Sequence, residues 1–279
     1  MAPSDIAISP FVIERGALSL SGESAGHGPP ILLLHGLTAT RRYVLHGSRI
    51  LERAHQRTIA YDARGHGHSG GSHEEPAYSY EQLIADAVAV LDQLEVDRCA
   101  VAGHSMGAAT AAGLALTHPE RVRALVLVGP AHLGTPSPNQ ARWDALADGL
   151  AVGGVDGFVE AYGNPDLPGA YSETVLRVVR QRLSRHDDPV ALAAAIKGIT
   201  RTAAYDGVEP LREIAVPTLI VGSRDDSDPE HRLAIAHDYA ERIPLAELIV
   251  EGEGESPIAW RGGSLSREID AFLTRVLSS

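Results

Sequence analysis

Cysteine and lysine are almost absent from this chain of 279 residues. Cys99 is the only cysteine, which excludes an internal disulfide and a cysteine-based metal site. Because Cys99 lies in the apolar run 99–102, we expect its thiol to be buried and inert. Lys197 is the only lysine. A mechanism that needs a catalytic lysine therefore has one candidate, and nothing in the surrounding sequence recommends it.

Long apolar runs and excess positive charge are also missing. No run reaches the roughly 18 apolar residues of a membrane-spanning helix, and the first residues lack the basic and then apolar pattern of a signal peptide. The formal net charge is −12, which disfavours nucleic acid and anionic membranes as partners, because their phosphates attract a basic face. We therefore expect a cytoplasmic protein that binds neither nucleic acid nor membrane.

Apolar runs that alternate with helical patterns indicate an α/β fold. Runs such as 31–34 and 99–102 suit parallel strands that are buried on both faces. Strands and helices alternate in this way from residue 31 to residue 130, which predicts a doubly wound, mostly parallel sheet. The other predicted elements are strands within 11–20, a loop at 22–30, and helices at 43–56, 229–243 and 265–277.

Residues 131–208 interrupt the alternation with prolines and amphipathic helical segments. They predict a helical cap inserted into a core that consists of residues 1–130 and 209–279. The larger apolar side chains of the cap either line a pocket or pack the cap on the sheet. These side chains are Trp143, Leu146, Leu150, Val155, Phe158, Tyr162 and Tyr171. The cap sequence has no basic cluster, so a strongly anionic substrate is not indicated.

The segment Gly103-His104-Ser105-Met106-Gly107 matches the pattern G-x-S-x-G between a predicted strand and a predicted helix. In that setting the serine occupies a sharp turn that lifts its hydroxyl clear of the sheet. The two glycines let the strand and the helix pass closely, and the helix N-terminus offers N–H groups to an oxyanion. Ser105 is therefore a candidate nucleophile.

Three further segments strengthen this interpretation: residues 35–37 (His-Gly-Leu), residues 62–69 (Asp-Ala-Arg-Gly-His-Gly-His-Ser) and residues 216–225, which end in Asp225. Together with the Ser105 motif they resemble the α/β-hydrolase superfamily over nearly the whole chain. The resemblance implies an α/β-hydrolase fold and an esterase-like serine hydrolase of small, mainly apolar substrates, without cofactor or metal. It specifies neither the substrate nor the oligomeric state.

By this resemblance Ser105 is the nucleophile, and the backbone N–H groups of Leu37 and Met106 form an oxyanion hole. Asp225 is the acid of the catalytic triad. The neighbouring Asp226 and Asp228 are alternative candidates for that role. We expect instead that they lie in a solvated loop and cap the start of a helix before Pro229.

The catalytic histidine of the family lies in a segment of the form Gly-x-Gly-His-x-Pro. The corresponding residues 252–257 read Gly-Glu-Gly-Glu-Ser-Pro, with Glu255 in the histidine position, and no histidine follows His237. A carboxylate is roughly two pK units less basic than imidazole, so the sequence predicts weak hydrolysis. His231 lies near Asp225 in sequence but is expected to face the start of a surface helix.

Three explanations for Glu255 remain open. The chain is a hydrolase altered at one position, or a catalytically silent ligand-binding protein, or an enzyme of lyase or isomerase type that uses Glu255 as its acid and base. The remaining histidines have simpler interpretations. His35 is expected to order the oxyanion segment, His104 to pack beside the nucleophile, and His66, His68 and His73 to lie in a solvated loop rather than at a metal.

Overall fold

The computed structural model describes residues 6–165, 171–225, 228 and 230–277, without the side chain of Tyr171. Eight strands form one sheet in the order β1-β2-β4-β3-β5-β6-β7-β8. The strands are β1 (Ile8–Arg15), β2 (Leu18–Gly26), β3 (Pro30–Leu34), β4 (Arg57–Tyr61), β5 (Cys99–His104), β6 (Val122–Val128), β7 (Thr218–Val221) and β8 (Ala246–Ile249). Strands β1 and β2 are antiparallel to their neighbours and all other pairs are parallel. The predicted mostly parallel sheet is confirmed.

Helices pack on both faces of this sheet, so its central strands are apolar on both faces. The helices are α1 (Ile50–Arg53), α2 (Tyr80–Gln93), α3 (Met106–Thr117), α4 (Gln140–Tyr162), α5 (Tyr171–Leu183), α6 (Pro189–Thr200), α7 (Leu233–Arg242) and α8 (Gly262–Leu277). The start of α2 follows from its sequence, because the Ser79 side chain accepts a hydrogen bond from the backbone N–H of Gln82. Within the described residues, no helix has the length and apolar character that a membrane crossing requires.

Two predictions for the first part of the chain are wrong. Residues 43–56 contain only the single turn α1, and a 3-10 turn precedes it at Arg41–Tyr43. The predicted loop 22–30 belongs largely to β2, which reaches Gly26 because residues 22–26 pair with β4. Pairing with a neighbouring strand therefore overrides the low strand propensity of glycine here.

Helices α4, α5 and α6 lie between β6 and β7 in the chain and have an apolar core of their own. Leu150 is buried in this core and Val155 packs against it. Helix α4 changes direction at Gly154, whose φ of 58° is unfavourable for other residues. Helix α6 begins after Asp188, whose side chain accepts hydrogen bonds from the N–H groups of Val190 and Ala191. The cap boundaries at residues 131 and 208 stay a prediction.

At the C-terminal end the predicted helices differ only in where they begin. Helix α8 begins at Gly262 rather than at residue 265. Helix α7 begins at Leu233, and Pro229, where the prediction put its start, lies outside the described residues. The described residues between β7 and α7, which are 222–225, 228 and 230–232, are not helical, and several of them contribute to the site.

Candidate active site

Ser105 lies in the turn between β5 and α3, with backbone angles φ 55° and ψ −111°. A positive φ is uncommon outside glycine, and such strain is maintained only where the surroundings enforce it. A Cβ atom on Gly103 would lie 2.0 Å from the Gly107 carbonyl oxygen, and one on Gly107 would lie 2.1 Å from the Leu34 carbonyl oxygen. Both motif glycines are therefore required for strand and helix to pass at this distance.

A histidine contacts the Ser105 hydroxyl, and it is His231. Its Nε2 atom lies 2.8 Å from Ser105 Oγ, and its Nδ1 atom lies 2.7 Å from Oδ2 of Asp228. An ionised carboxylate can only accept, so Nδ1–H donates to Asp228 and Nε2 accepts from the Ser105 hydroxyl. Burial raises the pKa of Asp228, but the hydrogen bond and charge of His231 outweigh burial and hold that pKa below its usual value. The three side chains form one hydrogen-bonded chain.

The expectation that His231 faces the start of a surface helix is wrong, because its ring lies over the sheet edge that carries Ser105. Strand β6 lies between β5 and β7, so all three strands end at that edge. The His231 ring packs against Gly129, where an added Cβ would lie 3.4 Å from its Cδ2 atom. The ring of His104 is 5.6 Å away between centroids. The topology thus brings together residues that are 126 positions apart.

The structure does not bring Glu255 to Ser105. The Glu255 side chain is 58% exposed, and its carboxylate lies 3.5 Å from the Arg261 guanidinium. Its backbone N–H donates to the Gly252 carbonyl, and Gly254 has a φ of 78°, which closes a tight turn. The turn presents Glu255 to solvent, so the sequence segment that resembles the family's histidine loop does not supply the partner of Ser105.

Asp225 is likewise not the carboxylate that contacts the histidine. It lines the same cavity as Ser105, and its backbone N–H donates to Ser223 Oγ at 3.1 Å. Asp228 holds His231 instead, although the sequence favoured a helix cap for it. The third candidate, Asp226, lies outside the described residues. The available signal was an aspartate three residues before a histidine, Asp228 and His231, in the stretch that follows the buried strand β7.

The predicted oxyanion segment lies against the nucleophile. A Cβ on Gly36 would be 3.3 Å from Ser105 Cβ, and Leu37 and Met106 line the cavity beside Ser105. Nε2 of His35 accepts the N–H of Ala63 at 2.8 Å, so Nδ1–H donates to the Gly36 carbonyl, also at 2.8 Å. Burial lowers the pKa of His35 to about 4 and keeps the ring neutral. These contacts agree with an ordering role for His35.

Ser105 opens into a cavity of about 560 Å³, a size typical of small-molecule sites. Four of the predicted cap side chains line it: Trp143, Leu146, Phe158 and Tyr162. The side chain of Tyr171 lies outside the described residues. Two arginines also line the cavity, Arg142 from α4 and Arg182 from α5. The wall that the helices form is therefore apolar with two basic groups.

Comparison with known proteins agrees with the motifs and the sheet order. Residues 29–164 match the family model of the alpha/beta hydrolase fold. A putative carbamate hydrolase of Variovorax paradoxus is 32% identical over 209 residues, which are 72% of this chain and 77% of that protein. The chain belongs to the α/β-hydrolase superfamily. The predicted family, fold class and hydrolase type are thereby confirmed.

More distant members of the superfamily resemble nearly the whole chain. A putative 2-succinyl-6-hydroxy-2,4-cyclohexadiene-1-carboxylate synthase of Bacillus subtilis is 26% identical over 94% of this chain and 96% of that protein. The crystal structure of an enol-lactonase from Burkholderia xenovorans superposes with a TM-score of 0.77 at 24% identity. This superposition covers 95% of this chain and 100% of that one. At this identity the likeness concerns the fold.

The other histidines of this hydrolase have structural surroundings. His66 is fully buried rather than solvated, because its loop folds under the helices, and burial lowers its pKa to about 3. His68 and His73 pair with Asp187 at 2.9 Å and with Asp188 at 2.8 Å. His104 is half-buried beside His231, and desolvation lowers its pKa to about 3. Among the histidines of the described residues, only His231 forms a hydrogen bond with the Ser105 hydroxyl.

Proposed function

We propose that the chain is a serine hydrolase of esterase type, in which Ser105 is the nucleophile, His231 the general base and Asp228 the triad acid. The observation that carries this proposal is the hydrogen-bonded chain of Ser105, His231 and Asp228, with distances of 2.8 and 2.7 Å, at the end of the 560 Å³ cavity. The order of these groups is that of a catalytic triad, which is defined by geometry and not by position in the sequence.

In this mechanism Nε2 of His231 takes the Ser105 proton while Oγ attacks the ester carbonyl. Asp228 stabilises the imidazolium that forms. The backbone N–H groups of Leu37 and Met106, with the N-terminus of α3, stabilise the oxyanion of the tetrahedral intermediate. His231 then gives its proton to the leaving alcohol. Water attacks the acyl-enzyme with the same base, which releases the acid and restores Ser105.

This assignment changes the expectation for Glu255. Weak hydrolysis, a silent binding protein and a lyase or isomerase with Glu255 as base were all inferred from the apparent lack of a histidine. His231 provides an imidazole at hydrogen-bond distance from Ser105, and Glu255 is directed to solvent. Ester hydrolysis at an ordinary rate is therefore the better hypothesis.

The proposal also covers the cap, the substrate class and the location of the protein. The helical segment 131–208 acts as the cap, because its side chains Trp143, Leu146 and Phe158 line the cavity above the nucleophile. The apolar wall favours small esters with an apolar acyl part. The putative carbamate hydrolase of Variovorax paradoxus makes carbamates a related substrate class to include in assays. A cytoplasmic location stays a prediction.

Hydrolysis of 4-nitrophenyl acetate and butyrate tests the proposal. Ser105→Ala should lower kcat by a factor on the order of 10⁶, and a fluorophosphonate probe should label the wild-type protein at Ser105, as identified by mass spectrometry. Ser256→Ala, a substitution at an exposed serine in the Glu255 turn, is the matched control and should change neither result. Undiminished turnover by the Ser105→Ala protein would refute the proposal.

A further inference from the structure

The cavity beside Ser105 contains an arginine, Arg182, that forms no ion pair with any carboxylate of the described residues. Arg182, in the last turn of α5, lines this cavity, and its Nε atom is buried and has no hydrogen-bond partner. In residues 6–165, 171–225, 228 and 230–277, no carboxylate lies within ion-pair distance of its guanidinium. Burial lowers the pKa of Arg182, although Tyr162, Tyr43 and Asp228 act in the opposite direction.

Two arginines of another cavity, Arg41 and Arg49, are paired with carboxylates. A second cavity of about 620 Å³ lies beside β4, and its Arg41 forms ion pairs with Asp62 and Glu23. In the same cavity Arg49 lies 2.9 Å from both Glu23 and Glu52. Burying a charge without a partner is costly, and proteins ordinarily avoid it. Because Arg182 lines the Ser105 cavity without a carboxylate partner in the described part of the chain, its guanidinium points to a partner that comes with the substrate.

The charges in the cavity are divided between two sides. Arg182 and Arg142 are on helices α5 and α4, and the Arg142 guanidinium lies 5.4 Å from the centre of the Tyr162 ring. Among the described residues, the acidic groups that line the cavity are Asp225, Asp228 and Glu230, all between β7 and α7 in the chain. Asp228 already holds His231. A substrate with one anionic end would therefore place that end at the helices.

We propose that Arg182 binds a carboxylate of the substrate, so that the enzyme prefers small esters whose acyl chain ends in a carboxylate. This inference rests on the proposed hydrolase function and identifies its substrate class. A guanidinium matches a carboxylate with two parallel hydrogen bonds. A carboxylate also balances the single positive charge of Arg182. The substrate is thus more polar than the cap sequence indicated.

Two esters with the same leaving group and acyl chains of equal length test this assignment: 4-nitrophenyl hydrogen glutarate and 4-nitrophenyl pentanoate. We expect the wild-type enzyme to prefer the glutarate ester. Arg182→Gln should lower kcat/KM for that ester by about tenfold to a hundredfold, as expected when a charged hydrogen-bond partner is lost. It should leave the pentanoate ester at or above its wild-type value, and Arg182→Lys should restore part of the preference. Arg185→Gln, which alters an exposed arginine of the second cavity, should change neither ester.

Binding without turnover separates this inference from the hydrolase function. The chain has two tryptophans, Trp143 and Trp260, and both line the cavity. In a Ser105→Ala background, monomethyl glutarate should change the tryptophan fluorescence saturably, and adding Arg182→Gln should weaken its binding at least about tenfold. Methyl pentanoate should bind equally to both proteins.

The outcomes are distinct. If the wild-type enzyme hydrolyses both esters equally well and Arg182→Gln slows both alike, the carboxylate site is wrong and the hydrolase function stands. If the wild-type protein hydrolyses neither ester but monomethyl glutarate still binds through Arg182, the hydrolase function is wrong and the carboxylate site stands.

Discussion

Two neighbouring loops contribute differently to this protein. The β7 loop consists of the described residues 222–225, 228 and 230–232, and the β8 loop of residues 250–257. They follow parallel strands paired from Thr218↔Ala246 to Val221↔Ile249. The β8 loop has the sequence that resembles the family's histidine loop, yet its Glu255 faces solvent. The β7 loop lacks that pattern and supplies both His231 and Asp228. A loop sequence that resembles the family's therefore does not guarantee that its side chains lie in the same place relative to the nucleophile.

The β8 loop nevertheless supports its neighbour. Glu251 is buried, and its carboxylate accepts hydrogen bonds from the Arg224 N–H at 2.5 Å and from the Ser223 hydroxyl at 2.9 Å. Burial raises the pKa of Glu251, but these hydrogen bonds outweigh burial and keep its pKa below the usual value. The β8 loop thus positions the β7 loop, which carries the proposed base.

The two loops are expected to differ most in what they contribute to catalysis, and substitutions at His231 and Glu255 measure that difference. His231→Gln should lower kcat for 4-nitrophenyl acetate by about 10⁴ to 10⁶, because Ser105 loses its base. Glu255→Gln should leave kcat and KM at wild-type values, and Glu255→His should bring no large gain. If Glu255→Gln were the more damaging change, the β8 loop would be the catalytic one.

A smaller effect should distinguish the carboxylates within the β7 loop. Asp228→Asn should lower kcat by about 10² to 10⁴, because the histidine loses its orienting acceptor and the stabilisation of its charged form. Asp225→Asn changes a residue that lines the cavity without contacting His231 and should cost much less. Steady-state kinetics of the two variants at several pH values decide between them. The reverse order would restore Asp225 as the acid.

The smallest expected effect is on stability, through the hydrogen bonds that the Glu251 carboxylate accepts from the β7 loop. Glu251→Gln should lower the free energy of unfolding by about 1 kcal/mol at neutral pH, the typical net value of a hydrogen bond. Because the folded-state pKa of Glu251 is depressed, this stabilisation is complete above the ordinary value of 4.5 and is lost as the pH falls below it.

Denaturant unfolding at neutral pH and below pH 4.5 measures this difference. Glu253→Gln, in the same loop but exposed, is the matched control and should have little effect at either pH. A difference between wild type and Glu251→Gln that persists unchanged in acid would show that the charge of Glu251 is not what stabilises the loop.

Much of the fold could be predicted from the sequence, because its signals are local. Apolar runs marked the central parallel strands, and the strand–turn–helix context of residues 103–107 identified the turn that carries Ser105. The extension of β2 to Gly26 was missed, because it depends on pairing with β4, a strand about 35 residues further on. The burial of His66 was missed because it depends on a residue far along the chain, His186, whose ring lies 5.7 Å from that of His66 between centroids.

The sequence by itself determined the superfamily, the mostly parallel sheet and the candidate nucleophile. Only the tertiary structure decided that His231 contacts Ser105, that Asp228 rather than Asp225 holds His231, and that Arg182 lines the same cavity. A turn is formed by residues adjacent in the chain, so its pattern is visible in the sequence. The partners of Ser105 come from loops and helices that converge at one sheet edge, and their approach depends on strand order and loop path.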